Sequence, residues 1–364
     1  MNSPNNKGRS SYAICLATPD DAEAIDRIFD CMEFSGGIGI RFERKPNPYL
    51  SLAAEGYKAV ICLLKNEESG QAVGVGACVM RKAFVCGREK NVGYLTGLKL
   101  LPGNGKLLRF MPDFYAFLRA HTKEADLYMT TILSDNLPAR HLLEKRRRNM
   151  PRYLYRGDYT VYCLKPGGRA LRERHPRAGG AVLRRGADAV LRDFYQKHQA
   201  DHDLAAVVFD SPTADFYSFR GGDGEITAAC AVWNQQSYKQ YRITGYGGAY
   251  KALSKLPVHL LGYPAFPKAG AAANYASAAL LHAGTPKIAA DFLRAVLAET
   301  KAYDLLLLGL YENDPLHAAL RQIKHFRYRS RLYLVDFEGS GAGAVSDAGA
   351  VLNDATIRID VGLL

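Results

Sequence analysis

Short matches recur in the two halves of this 364-residue chain at a nearly constant offset, and this repeat constrains the fold more than any other feature. Asp113-Phe114 returns as Asp291-Phe292, and Asp126-Leu127 as Asp304-Leu305, both 178 positions later. Asn136-x-Pro138 returns as Asn313-x-Pro315 at an offset of 177, and Tyr159-x-Val161 as Tyr333-x-Val335 at 174. The drift follows from Arg146-Arg147-Arg148, which the first copy carries in addition. Any one match means little, but four in the same order indicate a duplicated domain. The apolar run Tyr159–Leu164 ends at Lys165-Pro166-Gly167-Gly168, and a basic stretch continues to Ala178-Gly179-Gly180, a density of Gly and Pro that breaks regular structure. The chain therefore divides into a polar lead-in (1–10), a first domain (11–165), a basic linker (166–180) and a second, degenerate copy (181–364).

Each half reads as mixed strands and helices. Tyr12–Leu16 has a strand pattern; Thr18, Pro19 and the acids that follow open a helix running to about Met32. Ala59–Leu64 and Ala72–Met80 flank the turn signal Glu67-Glu68-Ser69-Gly70, and Ala83–Gly87 and Val92–Leu101 extend the sheet. Leu107–His121 is helix-like, Leu127–Leu133 a strand, Pro138–Lys145 a helix, and Tyr153–Leu164 one or two strands. The second half offers strands at Val182–Leu183, Ile226–Trp233, Tyr241–Thr244, Ala276–Leu281, Leu305–Leu310 and Leu332–Phe337, with helices at Ala187–His198, Lys287–Thr300 and Pro315–Gln322. A Gly/Ala/Ser-rich loop at Gly339–Gly349 precedes a last alternating stretch, Thr356–Val361. The expected class is α/β of the α+β kind: two tandem domains, each a mixed, mostly antiparallel sheet flanked by helices.

Composition narrows the function. No apolar run approaches the ~18 residues of a membrane span, and the N-terminus lacks a signal peptide's apolar core, so a cytoplasmic protein with no membrane partner is expected. Seven Cys at wide spacings, with no Cys-x-x-Cys, argue against a disulfide framework or zinc site. His198-x-x-x-His202 could put two imidazoles on one helical face, but no third ligand is evident and no metal is expected. The net charge of +12 is concentrated in residues 140–156 and 165–185, each with seven basic residues and one acid. Such patches attract phosphates, nucleic acid or acidic lipid, or simply form a solvated linker face.

Ala17-Thr18-Pro19-Asp20-Asp21-Ala22 and Asn136-x-x-Ala139-x-x-Leu142-Leu143-Glu144-Lys145 resemble the opening and the late Asn-x-x-Ala-x-x-Leu-Tyr-Glu-Lys motif of the GNAT superfamily of N-acetyltransferases. Gly93-Tyr94-Leu95 through Pro102, with Tyr128–Ile132 before Asp135-Asn136, is similar to bacterial GNAT-like proteins of tandem type. The resemblance covers residues 11–164, and 180–337 only through the repeat. It implies that the Val92–Leu101 strand splays from Leu127–Leu133 and that acetyl-CoA or another acyl-CoA enters the gap. The backbone of Leu98, Lys99, Leu100 and Leu101 would then face pantetheine. The turn Gly103-Asn104-Gly105 with Lys106 and Arg109 would hold the pyrophosphate, as exposed N–H groups at a helix start favour anions. Asn136 would touch the cofactor or cap the next helix. Proton-transfer candidates are Tyr94, Tyr128 and Glu33.

The sequence also departs from the family pattern. The glycine-rich pyrophosphate motif is shortened, and Leu143 and Leu320 stand where the family's Tyr would protonate the leaving thiolate; Leu cannot transfer a proton. In the second copy Pro286 removes an N–H from the phosphate turn His282–Lys287, so that copy is expected to bind cofactor poorly or not at all. The function this implies is acyl-CoA-dependent N-acyl transfer to an amine, or a hydroxyl, of a small molecule or amino acid. The alternatives are a non-catalytic acyl-CoA-binding or scaffold protein, and aminoacyl transfer from charged RNA, with nucleic acid the less favoured partner.

Overall fold

The computed structural model describes residues 11–31, 37–167, 182–207, 211, 213–337 and 357–364. Chain order in the first half begins with β1 (Tyr12–Leu16), a short 3-10 turn and α1 (Ala22–Asp30). The turn starts at Thr18, whose amide N–H donates to the Asp21 carboxylate at 2.9 Å. Helix α1 buries Ile25, Ile28 and Phe29. Next come β2 (Ile38–Glu43), α2 (Pro48–Ala53), β3 (Lys58–Asn66), β4 (Ala72–Val85) and β5 (Arg88–Leu100). A 3-10 turn (Gly105–Phe110) leads into α3 (Met111–His121), then β6 (Leu127–Leu133), α4 (Leu137–Glu144) and β7 (Arg152–Leu164). The second half runs β8 (Val182–Arg185), α5 (Ala189–Gln199), β9 (Ala214–Arg220), β10 (Ile226–Trp233), β11 (Gln240–Tyr246), α6 (Gly248–Leu253), β12 (Tyr275–Ala283), α7 (Pro286–Glu299), β13 (Leu305–Tyr311), α8 (His317–Leu320) and β14 (His325–Asp336).

Three readings need adjustment. Ala72–Met80 and Ala83–Gly87 are not separate strands. β4 runs unbroken to Val85, and the reversal falls at Cys86 and Gly87, with φ of 52° and 68°. Positive φ at both central residues suits a two-residue hairpin, and the Cys86 N–H is held by the Asp203 carboxylate at 2.7 Å. The alternating stretch 356–361 is not a strand over its described residues. Ile357 makes one isolated bridge to Asp203, and a 3-10 turn follows at Val361–Leu363. Its alternation is nonetheless physical, because Ile357, Ile359 and Val361 are all buried. Elements β2, α2, β9 and α6 have no counterpart among the sequence expectations. β2 and β9 carry polar or glycine residues within their apolar pattern, and the helices have only six residues each.

Among the described residues the sheet has twelve strands, in the order β1-β3-β4-β5-β6-β14-β7-β13-β12-β10-β9-β8. The order is a near palindrome. Each strand of the first half has its counterpart at the mirrored position, as the sequence repeat requires, but the last strands are exchanged. β14 pairs with β6 of the first half (Ser330↔Leu133 to Leu334↔Met129), and β7 pairs with β13 of the second (Leu306↔Leu164 to Tyr311↔Tyr159). β7 and β14 then pair with each other from His325↔Leu164 to Asp336↔Arg152. The exchange covers strand edges that each half alone would leave open. It also buries Tyr159 and Tyr333 completely at the centre of the molecule. A separate two-stranded sheet joins β2 to β11, again one strand from each half.

Helices α1 and α2 cover one face of the first half over Ile61, Leu63, Val75 and Val79. α3 covers the other, with Phe114, Tyr115 and Leu118 against Cys62, Cys78 and Leu95. The described residues contain no helix long and apolar enough to cross a membrane, and all seven cysteines are free thiols.

Candidate functional site

Two parallel strands part in the middle of the first half. β5 and β6 pair at Val92↔Leu127, Gly93↔Tyr128 and Tyr94↔Met129 and then separate. Where they separate, the Thr130 hydroxyl donates to the Leu95 carbonyl at 2.7 Å, which ties the fork. Just beyond it β5 bulges. Val75 pairs with Lys99 but Ala77 with Thr96, so Gly97 and Leu98 together oppose one residue of β4. Gly97 has φ +67°, and a Cβ there would come within 3.3 Å of the Phe29 ring. Glycine adopts this conformation without strain and leaves room for the Phe29 ring.

The gap opens into a cavity of about 820 Å³. Its floor is β5 from Tyr94 to Leu100, with Leu101 just beyond. One wall is α3 and α4, with Phe114, Leu118, Leu142 and Leu143, and the far side is β6 from Thr130 to Leu133. The other half of the chain contributes too: Lys239, Tyr241, Tyr328, Ser330, Val361 and Leu364 line the same space. The site thus belongs to both halves, which reading the repeat as two separate domains does not reveal.

Of the residues singled out for the cofactor, Leu98, Lys99, Leu100, Leu101, Gly103, Asn104, Gly105 and Asn136 all line this cavity. Gly103 has φ +83°, and neither Gly103 nor Gly105 has any neighbour within 4 Å of where a Cβ would sit. The turn is therefore open, and the first N–H groups of the following helical turn have no partners within it. Lys106 and Arg109 follow this turn, exposed and outside the lining; the Arg109 guanidinium lies 5.0 Å over the Phe110 ring. The Asn136 side chain accepts the Ala139 N–H at 3.3 Å, so it also caps α4.

The proton-transfer candidates separate clearly. Tyr94 lines the cavity, its hydroxyl 3.0 Å from Thr131 Oγ1, and burial raises its pKa. The Tyr128 hydroxyl is spent on Thr122, 2.5 Å from the carbonyl oxygen and 2.7 Å from Oγ1, and lies outside the lining. Glu33 lies outside the described residues.

Two groups in the cavity escaped sequence reasoning as side chains. Lys99 is only 9% exposed; its ammonium donates to the Phe29 carbonyl at 3.2 Å and sits 4.8 Å from the Phe29 ring. No carboxylate pairs with it among the described residues, and burial pushes its pKa down to about 8, with Arg44 adding to the effect. Tyr153 also lines the wall, 2.6 Å from the Tyr115 hydroxyl. A lone Lys in an apolar strand was the only available signal for the first; the second carried none.

Behind Arg44 and Lys239, a charge cluster ties the halves. Buried Glu55 accepts Arg44 at 2.8 Å and Arg81 at 3.1 Å, with the Lys239 ammonium at 3.4 Å. Burial alone would raise the Glu55 pKa, but the three cations hold it at about 2. Burial brings Lys239 down to about 8 against the pull of Glu55.

The second half repeats the fork and then closes it. β12 and β13 pair in parallel from Tyr275↔Leu305 to Ala278↔Leu308. The bulge recurs at Leu280 and Leu281, where Ala229 pairs with His282 but Ala231 with Ala279. Leu280 sits at φ +53°, the counterpart of Gly97. Here the Leu280 N–H donates to the Asp360 carboxylate at 2.7 Å, and the Tyr159 hydroxyl donates to the Ile359 carbonyl. Residues 357–361 thus occupy the second gap. α7 starts at once from Thr285, whose hydroxyl caps Ile288 N–H, with Pro286 next. His282, beside His198 and His202, bonds to Gln199. No group of three His, Cys, Asp or Glu among the described residues could hold a metal ion.

No protein-family model and no curated protein matches the sequence. Solved structures do match by shape. Saccharomyces cerevisiae N-myristoyltransferase with bound myristoyl-CoA aligns over 92% of this chain and 85% of its own, at TM-score 0.55 and 9% identity. A second structure of that yeast enzyme with myristoyl-CoA aligns over 91% and 81%, at 0.55 and 10%. A GCN5-related N-acetyltransferase from Anabaena variabilis aligns over 89% and 72%, at 0.49 and 9%. At these identities the likeness is one of fold. The chain has the GNAT fold, a large, mostly antiparallel sheet flanked by helices.

Proposed function

We propose that this chain is an acyl-coenzyme A-dependent N-acyltransferase that works in the first gap, with an amine of a small molecule or amino acid as acceptor and acetyl as the acyl group. The observation that carries the reading is the contrast between the two gaps. Both have the same parting strands and left-handed bulge, but one is filled by the chain's own carboxylate and the other is open. Asp360 holds a charged oxygen 2.7 Å from the bulge amide of Leu280. At the equivalent place the Gly97 N–H would hold the thioester carbonyl oxygen and stabilise the charge that develops on it. The polarising amide would then stand at the start of the bulge, one residue before the stretch Leu98–Leu101 that faces pantetheine.

Pantetheine would pair with the free edge of Thr96–Leu100 as a strand does. The pyrophosphate would lie over Gly103–Gly105, with Lys106 and Arg109 at the mouth. The acceptor would approach from the α1 side. With its pKa near 8, a useful fraction of Lys99 is neutral at mildly basic pH and can take the amine's proton. The amine nitrogen bonds to the carbonyl carbon, the carbon–sulfur bond breaks, and the thiolate leaves. Tyr153, on the wall where Leu143 replaces the family's Tyr, is the hydroxyl that would protonate it. The apolar wall of Phe114, Leu118 and Leu142 also admits a longer acyl chain. No specific contact favours a scaffold or a charged-RNA substrate.

Titration calorimetry with acetyl-CoA tests the reading, comparing the intact chain with Gly105→Pro, which deletes one N–H of the open turn. Micromolar binding that the variant loses at an unchanged melting temperature supports it. No binding of acetyl-CoA or of longer acyl-CoA esters by folded protein overturns it. Binding of long esters alone revises the acyl group.

A further inference from the structure

No Asp or Glu occurs between Glu225 and Asp291. Within that acid-free stretch, α6 leads to a 3-10 turn (Val258–Leu261) that carries the two most exposed large hydrophobic residues among those described, Leu260 at 76% and Leu261 at 65%; Leu256, just before it, is 56% exposed. The turn is firmly seated. Val258 is buried beneath it. The Lys165 ammonium donates to the His259 carbonyl and that of Lys324 to the Leu261 carbonyl, each at 2.6 Å. The Tyr263 ring stacks on Phe326 at 5.5 Å. Lysine side chains thus hold the base of the tip and place positive charge beside the leucines, and Lys251 and Lys255 add two exposed cations on its approach.

We propose that this tip docks on the surface of an anionic lipid bilayer, with Leu256, Leu260 and Leu261 entering the acyl boundary and the lysines meeting headgroup phosphates. Charge complementarity and shape select this partner. Exposed leucines flanked by lysines, in a stretch of sequence with no Asp or Glu from 226 to 290, suit an interface that is apolar inside and negative outside. A nucleic acid would gain nothing from three exposed leucines. This is peripheral contact, not a span. It departs from the sequence-based expectation of no membrane partner, which rested on the lack of a spanning segment. It does not depend on the acyltransferase reading.

The test is co-sedimentation of the full chain with vesicles of phosphatidylcholine alone and with phosphatidylglycerol added. The intact protein should sediment with the anionic vesicles and be released by salt. Leu260→Glu/Leu261→Glu and, separately, Lys251→Glu/Lys255→Glu should each lower partitioning about tenfold or more. All these positions are exposed, so melting temperatures should not move. Failure to bind anionic vesicles overturns the proposal. So does a leucine variant that binds as well as the parent while the lysine variant does not, since that pattern describes a purely electrostatic surface of the kind RNA uses.

Discussion

Replacing Glu55 by Gln probes how the halves are held together. Glu55 is 4% exposed, and Arg44, Arg81 and Lys239 converge on it from the residue after β2, from β4 and from the segment before β11. Gln preserves the shape but leaves three buried cations without their shared counter-charge. Breaking a buried ion pair from one side costs ~3–5 kcal/mol. For a chain of this size, with ~2 °C per kcal/mol, the melting temperature should fall by roughly 6–10 °C at pH 7. The pH dependence gives a second readout. Glu55 titrates near 4.5 when unfolded and about 2 when folded. Its contribution is therefore complete above pH 4.5 and is lost as pH falls through 2. At ~1.4 kcal/mol per unit that is roughly 3 kcal/mol of acid sensitivity. Circular-dichroism melts of parent and variant between pH 2 and 7 should converge at the acid end. A variant that melts within a degree or two of the parent at pH 7, or keeps the parent's steep acid limb, would show that this cluster does not bind the halves.

Other consequences are open to direct measurement. Residues 1–165 and 182–364 produced separately should each lack the strand the other supplies, so they should be insoluble or aggregate alone and copurify when co-expressed; a soluble, cooperatively melting 1–165 would refute the exchange. Burial raises the Asp360 carboxyl from 3.8 to about 6, so its stabilising effect is greatest below pH 3.8 and is lost as pH rises through 6. Asp360→Asn keeps an oxygen for the Leu280 N–H and should melt higher than the parent at pH 8, by ~2–3 kcal/mol in stability, with the two equal near pH 4. Gly97→Ala forces a side chain into a left-handed conformation and against Phe29; it should cost ~1–2 kcal/mol in denaturant unfolding and lower turnover with acyl-CoA by more than that stability loss alone accounts for.

Much of the architecture is written locally. Strands, the hairpin at 67–70 and the helices around Phe114 and Phe292 depend on neighbours a few residues away, and their periodicity is visible without the fold. The repeat itself follows from paired contacts such as those of Asp126 and Asp304 at the starts of β6 and β13. The turn Gly103–Gly105 is legible for the same reason, since its conformation is set by the glycines in it. The exchange of β7 and β14 is not, because either strand has the length and alternation to pair with β6. Only the burial of both tyrosines and the covering of both edges in one assembled sheet decides between them. The tertiary structure alone also gives Gly97 its meaning, by setting a left-handed bulge against Phe29 at the parting of two strands. It makes the Lys99 ammonium a stronger acid, with its pKa brought down to about 8, by taking it out of water. It also lays Asp360, distant in sequence, on the Leu280 amide, closing one of two gaps that the sequence built alike.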